Sequence, residues 1–246
     1  MAKLSIGQAL RISWQSSKRD WRIWLLVSLI FMLANLPGAI FDLNKVDVFS
    51  FQSLLWLAVG LVIMALFSPG IQQNGLLVAR GSVPTIQTLT GQFKLAGKFV
   101  LFYLLYALIT TLGFIALIIP GLYLMARYSM TPFIMLDNPT LGVAEAMSQS
   151  SKLTKDKIWQ LFVAYFVIGI TYMVLATASG LILGIFLAFF IDGNTVTNLI
   201  ISNILFLIPS ALIMPFSTVG PASIYEQVKS QPTTVATADP VTAAAV

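Results

Sequence analysis

The chain contains no cysteine and no histidine. Their absence excludes disulfides, Cys/His zinc sites, haem ligation by imidazole, and every nucleophilic mechanism built on a thiol or an imidazole base. Charge is also scarce. Only 9% of the 246 residues are Asp, Glu, Lys or Arg, against about 25% in soluble domains. The nine acids form no D-x-D pair, no two of them share an apolar helix as a paired carboxylate, and no G-x-x-x-x-G-K phosphate loop occurs. Ser150, Ser151 and Lys152 are adjacent and formally allow a Ser–Lys dyad, but they fall on a polar, solvated helix face. No compact basic and aromatic platform for nucleic acid forms either. The chain is expected not to be an enzyme, to need no cofactor or metal, and to bind no nucleic acid.

What is present is apolar: 58% of the residues are hydrophobic. A water-soluble sphere of this size cannot hide so much apolar surface, so lipid must be the solvent for most of it. Charge-free intervals cover 23–41, 48–79, 99–126, 158–191 and 193–225, each close to or beyond the roughly 20 helical residues that cross a bilayer core. A further pass near 122–136 is interrupted by Arg127. The fold expected is all-α, a polytopic membrane domain over 1–229. Its spans are placed at 23–41, 51–79, 99–119, 121–137, 158–191 and 196–226, with Pro120–Gly121 turning the chain between the third and fourth. The first apolar run is too long for a signal peptide and lacks an A-x-A site, so it is expected to remain as an anchor. The tail 230–246 is disordered by composition.

Of the 14 Lys and Arg residues, all but Lys45 and Arg127 lie in the N-terminus, in 80–98, in 152–157 or after the last span. With six spans these segments share one side, while Asp42, Asp47 and Asp192 fall on the other. The positive-inside rule then puts both termini in the cytoplasm.

The segments before the first, third and fifth spans resemble one another. In the first, predicted over 5–17, Ile6, Leu10 and Trp14 share a helical face, and Ser5 with Gln8 makes a capping box. In the second, over 84–96, Ser82 is placed to cap and Pro84 to open the helix. The third, over 139–152, starts at Asn138 and Pro139. Each ends in basic residues. The pattern predicts three hairpins, each preceded by an amphipathic helix lying on the membrane surface. The returning helix of each hairpin also carries an aromatic-Ser step before a proline: Phe67-Ser68-Pro69, Tyr128-Ser129 with Pro132, and Phe216-Ser217 with Pro221. Such prolines favour kinks, and nearby hydroxyls can bond the freed carbonyls. Chance recurrence in a small alphabet competes with a true repeat.

Arg127 is the one charge expected within a span, where it must be paired, hydrated or snorkelled. Snorkelling to the outer interface, or pairing with Asp42 or Asp192, is the preferred reading; holding a lipid phosphate or a substrate carboxylate is the alternative. Lys94, Lys98, Lys152, Lys155 and Lys157 join Arg127 as candidates for binding lipid or another anion, although membrane anchoring explains any one of them more simply. The amides of Gln72, Gln73 and Asn74 are expected to bond neighbouring helices or headgroup water.

The stretch 118–162, IIPGLYLMARYSMTPFIMLDNPTLGVAEAMSQSSKLTKDKIWQLF, resembles the YciC-type inner-membrane proteins of bacteria. It is also similar to the membrane domain fused to some glycerophosphodiester phosphodiesterases. The shared pattern is an apolar helix, Ile-Pro-Gly, a helix containing a base, a Thr-Pro step, an acidic turn and a Ser-rich amphipathic helix. The rest of the chain matches only in hydropathy, and the phosphodiesterase's catalytic barrel has no counterpart. The resemblance implies a multipass protein of the bacterial inner membrane tied to lipid or envelope homeostasis, with Pro120, Gly121 and Arg127 as motif positions. The function expected is non-catalytic binding of membrane lipids, including anionic ones, or of a membrane-protein partner. A transporter or channel for a small or amphipathic solute is the alternative.

Overall fold

A computed structural model of the chain describes residues 4–44, 50–190 and 195–231. Lys45, Asp47, Asp192, the Asp42 side chain and the tail beyond Gln231 lie outside the described residues. Ten α-helices are described: α1 Ile6–Arg19, α2 Trp21–Asn44, α3 Phe51–Ala79, α4 Ile86–Gly91, α5 Ala96–Ala116, α6 Ile118–Tyr128, α7 Thr131–Asp137, α8 Val143–Thr154, α9 Ile158–Phe190 and α10 Thr195–Ser230. No strand occurs among the described residues. Four stretches are long and apolar enough to cross a membrane: Leu54–Ala79, Ile86–Ala116, Ile158–Ala188 and Asn203–Ser230. The first predicted span lies within α2, of which Trp21–Ala34 is the described apolar part. The fourth predicted span differs from expectation: it is broken into α6 and α7.

That break has a local cause. Pro132 stands at the start of α7, where its missing N–H costs nothing, whereas inside a continuous helix it would strand a carbonyl. The end of α6 is satisfied from outside: the hydroxyls of Ser150 and Thr154 on α8 both donate to the Arg127 carbonyl, at 2.9 and 3.1 Å. The turn between α5 and α6 lies at Leu117, which is extended (φ −170°, ψ 157°), and not at Pro120–Gly121 as expected. Pro120 instead occupies the first turn of α6, and Gly121 lets α6 close on α5, since a Cβ there would meet the Phe114 ring at 2.6 Å.

α10 is the centre of the molecule, with α1, α2, α3 and α9 packed around it. α3 approaches its neighbours through glycines. A Cβ on Gly60 would lie 2.5 Å from the Ala34 carbonyl oxygen of α2, one on Gly70 would lie 2.1 Å from that of Leu89 on α4, and one on Gly75 would lie 2.8 Å from that of Thr218 on α10. Small residues of this kind let helix backbones meet where side chains would hold them apart. α3 ends in a Schellman turn: Gly81 adopts φ +79°, its N–H donates to Val78 O, and the N–H of Ser82 donates to Leu77 O.

Helices form in all three segments predicted to lie on the membrane surface; the first starts as expected and the other two start later. Ser5 caps α1 by accepting from the Gln8 N–H. Thr85, not Ser82, caps α4, which is followed by a 3-10 turn, Phe93–Leu95. α8 begins after Gly142, whose N–H donates to the Glu145 carboxylate at 3.0 Å. Ile6 and Leu10 of the predicted α1 stripe are half-buried against the core, and small residues make up the most buried face. Ala9, Ser13, Ser16 and Ser17 are buried, while Trp14 is 45% exposed. The reason is that α1 runs antiparallel along the C-terminal half of α10. The Ser5 N–H donates to Gln227 Oε1 at 2.7 Å, and the Ser17 hydroxyl donates to the Leu212 carbonyl at 2.6 Å. Asp20 then separates α1 from α2. Ser16 and Arg19 donate to the Asp20 carboxylate, and Trp24 Nε1 donates to Ser16.

Candidate functional site

The three Ser–Pro steps meet. Ser68 on α3, Ser129 after α6 and Ser217 on α10 all line one cavity of about 770 Å³, together with Pro132 and Pro221. Pro69 is buried next to Ser68. The remaining wall is apolar and aromatic, including Met64, Phe102, Met125, Phe133, Phe162, Tyr165 and Phe166, and among the described residues no Lys, Arg, Asp or Glu lines it. α9 packs mainly on α10 and α6, which leaves a lateral crevice towards α3 and α5. The exposed wall residues Tyr103, Met125, Phe166, Ile170 and Met173 lie along that crevice.

The polar groups of the wall are few and mostly engaged. Ser129 donates to the Ala126 carbonyl at 2.8 Å, Ser217 to Met214 at 2.9 Å and Thr218 to Met214 at 3.1 Å. Tyr106 donates to the Met125 carbonyl at 3.3 Å, and Gln72 donates to the Tyr103 hydroxyl. The Ser68 hydroxyl oxygen is buried and has no hydrogen-bond partner among the described residues. A cavity of this size, with an apolar wall and a few convergent polar atoms, matches a small-molecule site in kind and volume.

The basic candidates fall elsewhere and divide into two groups. Lys98 donates to the Pro139 and Leu141 carbonyls at 2.6 and 2.9 Å, which fixes the loop before α8. Lys157 donates to the Val228 carbonyl at 3.2 Å, tying α9 to the end of α10; burial pushes its pKa down, with Asp156 opposing. Lys94 and Lys152 are exposed. Lys155 lines a second groove of about 410 Å³ with Asp156, Trp159, Gln160 and Tyr123. Arg127 lies against α8. Its Nε donates to Ser151 at 2.7 Å, and its Nη1 donates to the Tyr123 hydroxyl at 2.9 Å. With both contacts internal, Arg127→Ala is expected to loosen α6 from α8. The melting temperature should fall by several degrees, as about 1–2 kcal/mol is lost with charged hydrogen bonds, while anionic-lipid retention measured on the same sample stays unchanged.

The amide cluster works structurally. Asn74 is fully buried; its Nδ2 donates to the Thr85 carbonyl at 3.2 Å, and its Oδ1 accepts the Thr85 N–H at 3.3 Å.

An ionic node joins the ends of α3, α7 and α10. Arg80 meets Asp137 at 2.6 Å and Glu226 at 2.7 Å, and Lys229 meets Asp137 at 2.6 Å. Tyr225 donates to Asp137 at 2.8 Å and stacks on Phe133. Asp137 lies outside the four long apolar stretches. Burial pushes its carboxyl up, but the hydrogen bonds from Lys229, Arg80 and Tyr225 outweigh this, and the net shift is below the ordinary 3.8. A carboxyl lowered on folding stabilises above its unfolded pKa, and the contribution is lost as pH falls through the folded value. Asp137→Asn is therefore expected to cost about 1–2 kcal/mol near neutrality, because the node is partly exposed. The gap between variant and wild type should narrow in thermal melts as pH falls below the unfolded carboxyl's pKa of about 3.9.

Comparison with family models, with curated proteins and with solved structures finds no match for this chain.

Proposed function

We propose that the chain is a non-catalytic, six-pass protein of the bacterial inner membrane that holds a lipid or lipid-like molecule in the cavity between α3, α5, α6, α9 and α10. The observation that carries this reading is the cavity itself: large, laterally accessible, aromatic and free of charged side chains. In this reading the fourth pass is the broken α6, and the exposed apolar faces of α3, α5 and α9 meet lipid or a membrane-protein partner. Both termini lie in the cytoplasm, in keeping with the distribution of Lys and Arg. Arg11, Lys18, Arg19 and Arg22 sit on or beside α1, level with the C-terminal half of α10. Each cation would cost about 3 kcal/mol at the bilayer centre, so these residues mark the inner polar boundary. Exposed Lys94, Lys152 and Lys155 face the anionic headgroups at that boundary.

The test is native mass spectrometry of protein extracted in lipid particles and exchanged into detergent. A retained adduct of lipid mass is expected; folded protein that flies bare overturns the reading. Transport is the second reading, favoured by Pro69 and Pro221, which place kinks in two helices at the cavity. It predicts solute flux in proteoliposomes, where the binding reading expects none.

A further inference from the structure

We propose that the bound lipid is a zwitterionic phospholipid, its acyl chain in the uncharged cavity and its headgroup in the adjoining groove, with the phosphate on Lys155 and the ammonium on Asp156. This identifies the lipid of the proposed function and rests on that reading.

The two spaces share a wall. Leu122 on α6 and Phe162 on α9 line both the large cavity and the groove of about 410 Å³ beside it. Among the described residues the cavity wall has no charged side chain, so it suits hydrocarbon and disfavours a lone phosphate or ammonium. The groove carries one charge of each sign, Lys155 and Asp156, next to apolar Ile119 and Ile158. Trp159, 75% exposed, also lines it, as a side chain suited to the level of lipid headgroups does.

Asp156 stands apart from the other acids whose side chains are described. Asp20 is held by Ser16 and Arg19, Glu145 accepts the Gly142 N–H, and Asp137 and Glu226 belong to the ionic node. Among the described residues neither Asp156 nor Lys155 makes a salt bridge or a side-chain hydrogen bond. Lys157 acts on Asp156 electrostatically, but its ammonium donates to the Val228 carbonyl. Both groove charges are exposed. A phosphatidylglycerol headgroup would set its negative charge beside Asp156 and bring no cation to offset it. A zwitterionic headgroup matches both charges: its phosphate accepts from the Lys155 ammonium, and its own ammonium donates to the Asp156 carboxylate. The Trp159 ring offers that cation a further contact.

The full chain in detergent is titrated with dioleoylphosphatidylethanolamine and with dioleoylphosphatidylglycerol, which share their acyl chains, and the adducts are followed by native mass spectrometry. Wild type is expected to prefer the ethanolamine lipid about fivefold, a modest factor because the paired charges are exposed. Asp156→Asn should erase the preference by weakening the ethanolamine lipid alone, Lys155→Gln should weaken both lipids, and Gly169→Trp should abolish binding of both. If neither lipid binds wild type, or Gly169→Trp binds as wild type does, the cavity reading itself fails. If Gly169→Trp blocks binding but wild type shows no preference for the ethanolamine lipid, or Asp156→Asn keeps that preference, the cavity reading stands and the headgroup assignment is overturned.

Discussion

Replacing Gly169 with Trp is expected to strip the protein of its bound lipid and leave its fold intact. Gly169 lies on the α9 wall of the cavity, and a Cβ built there meets no heavy atom within 4 Å. A larger side chain therefore starts from open space on the cavity wall. The backbone raises no objection, because glycine is itself the weaker helix former, by about 1 kcal/mol relative to alanine. The lipid-to-protein ratio by native mass spectrometry should fall at least about tenfold, the equivalent of 1.4 kcal/mol in binding, while the melting temperature stays the same or rises. Gly180→Trp is the matched control. It too has nothing within 4 Å of its Cβ but lies on α9 outside the cavity wall, so it should leave lipid retention unchanged. Equal loss in both variants would point to a general effect of an added indole on α9.

The largest loss of stability is expected from a single methyl group at Gly70. Its Cβ would lie 2.1 Å from the Leu89 carbonyl oxygen and within 2.7 Å of that residue's carbonyl carbon and Cα. All three are backbone atoms, so no rotamer change relieves the overlap; α4 must move off α3. Two contacts resist that movement: the edge-on pairing of Phe67 with Phe93, centroids 5.2 Å apart, and the reciprocal Asn74–Thr85 hydrogen bonds. Overpacking a closed contact costs about 1–3 kcal/mol and at times more, and a clash with main chain belongs at the upper end. Gly70→Ala should therefore lower the melting temperature well beyond any other alanine substitution of a glycine on α3 or α4. Gly91→Ala and Gly97→Ala, with open space at their Cβ positions, are expected to be neutral or mildly stabilising.

How much of this was legible in the sequence depends on how local each feature is. The membrane class follows from composition, and the cap at Ser5 from two residues three apart, as the Gln8 N–H confirms. The interruption near Arg127 marked a weak fourth span, and the helix does break there, at Ser129–Met130. The Leu117 turn was misplaced onto Pro120–Gly121 because a proline in the first turn of a helix and a proline in a loop look the same in sequence. On α1, hydropathy pointed to Trp14, but close contact with α10 selected alanine and serine, which carry little hydropathy signal. The Ser–Pro steps were visible one at a time. Their convergence on one cavity, the Arg80–Asp137–Glu226–Lys229 node and the open wall at Gly169 depend on helices far apart in the chain, and no local pattern encodes them. Arg127 was the sharpest lead in the sequence, yet its side chain is engaged by Ser151 and Tyr123.

The central claim is that a lipid chain enters the cavity between α9 and α5–α6, and photocrosslinking tests it most directly. The protein is reconstituted with a lipid carrying a diazirine on its acyl chain, irradiated and mapped by peptide mass spectrometry. Adducts are expected to concentrate on the wall segments around Phe102, Met125 and Phe166, and to be competed away by unlabelled lipid. Labelling confined to outward-facing residues such as Leu181, Ile182 and Ile185, with the wall segments untouched, would contradict the claim.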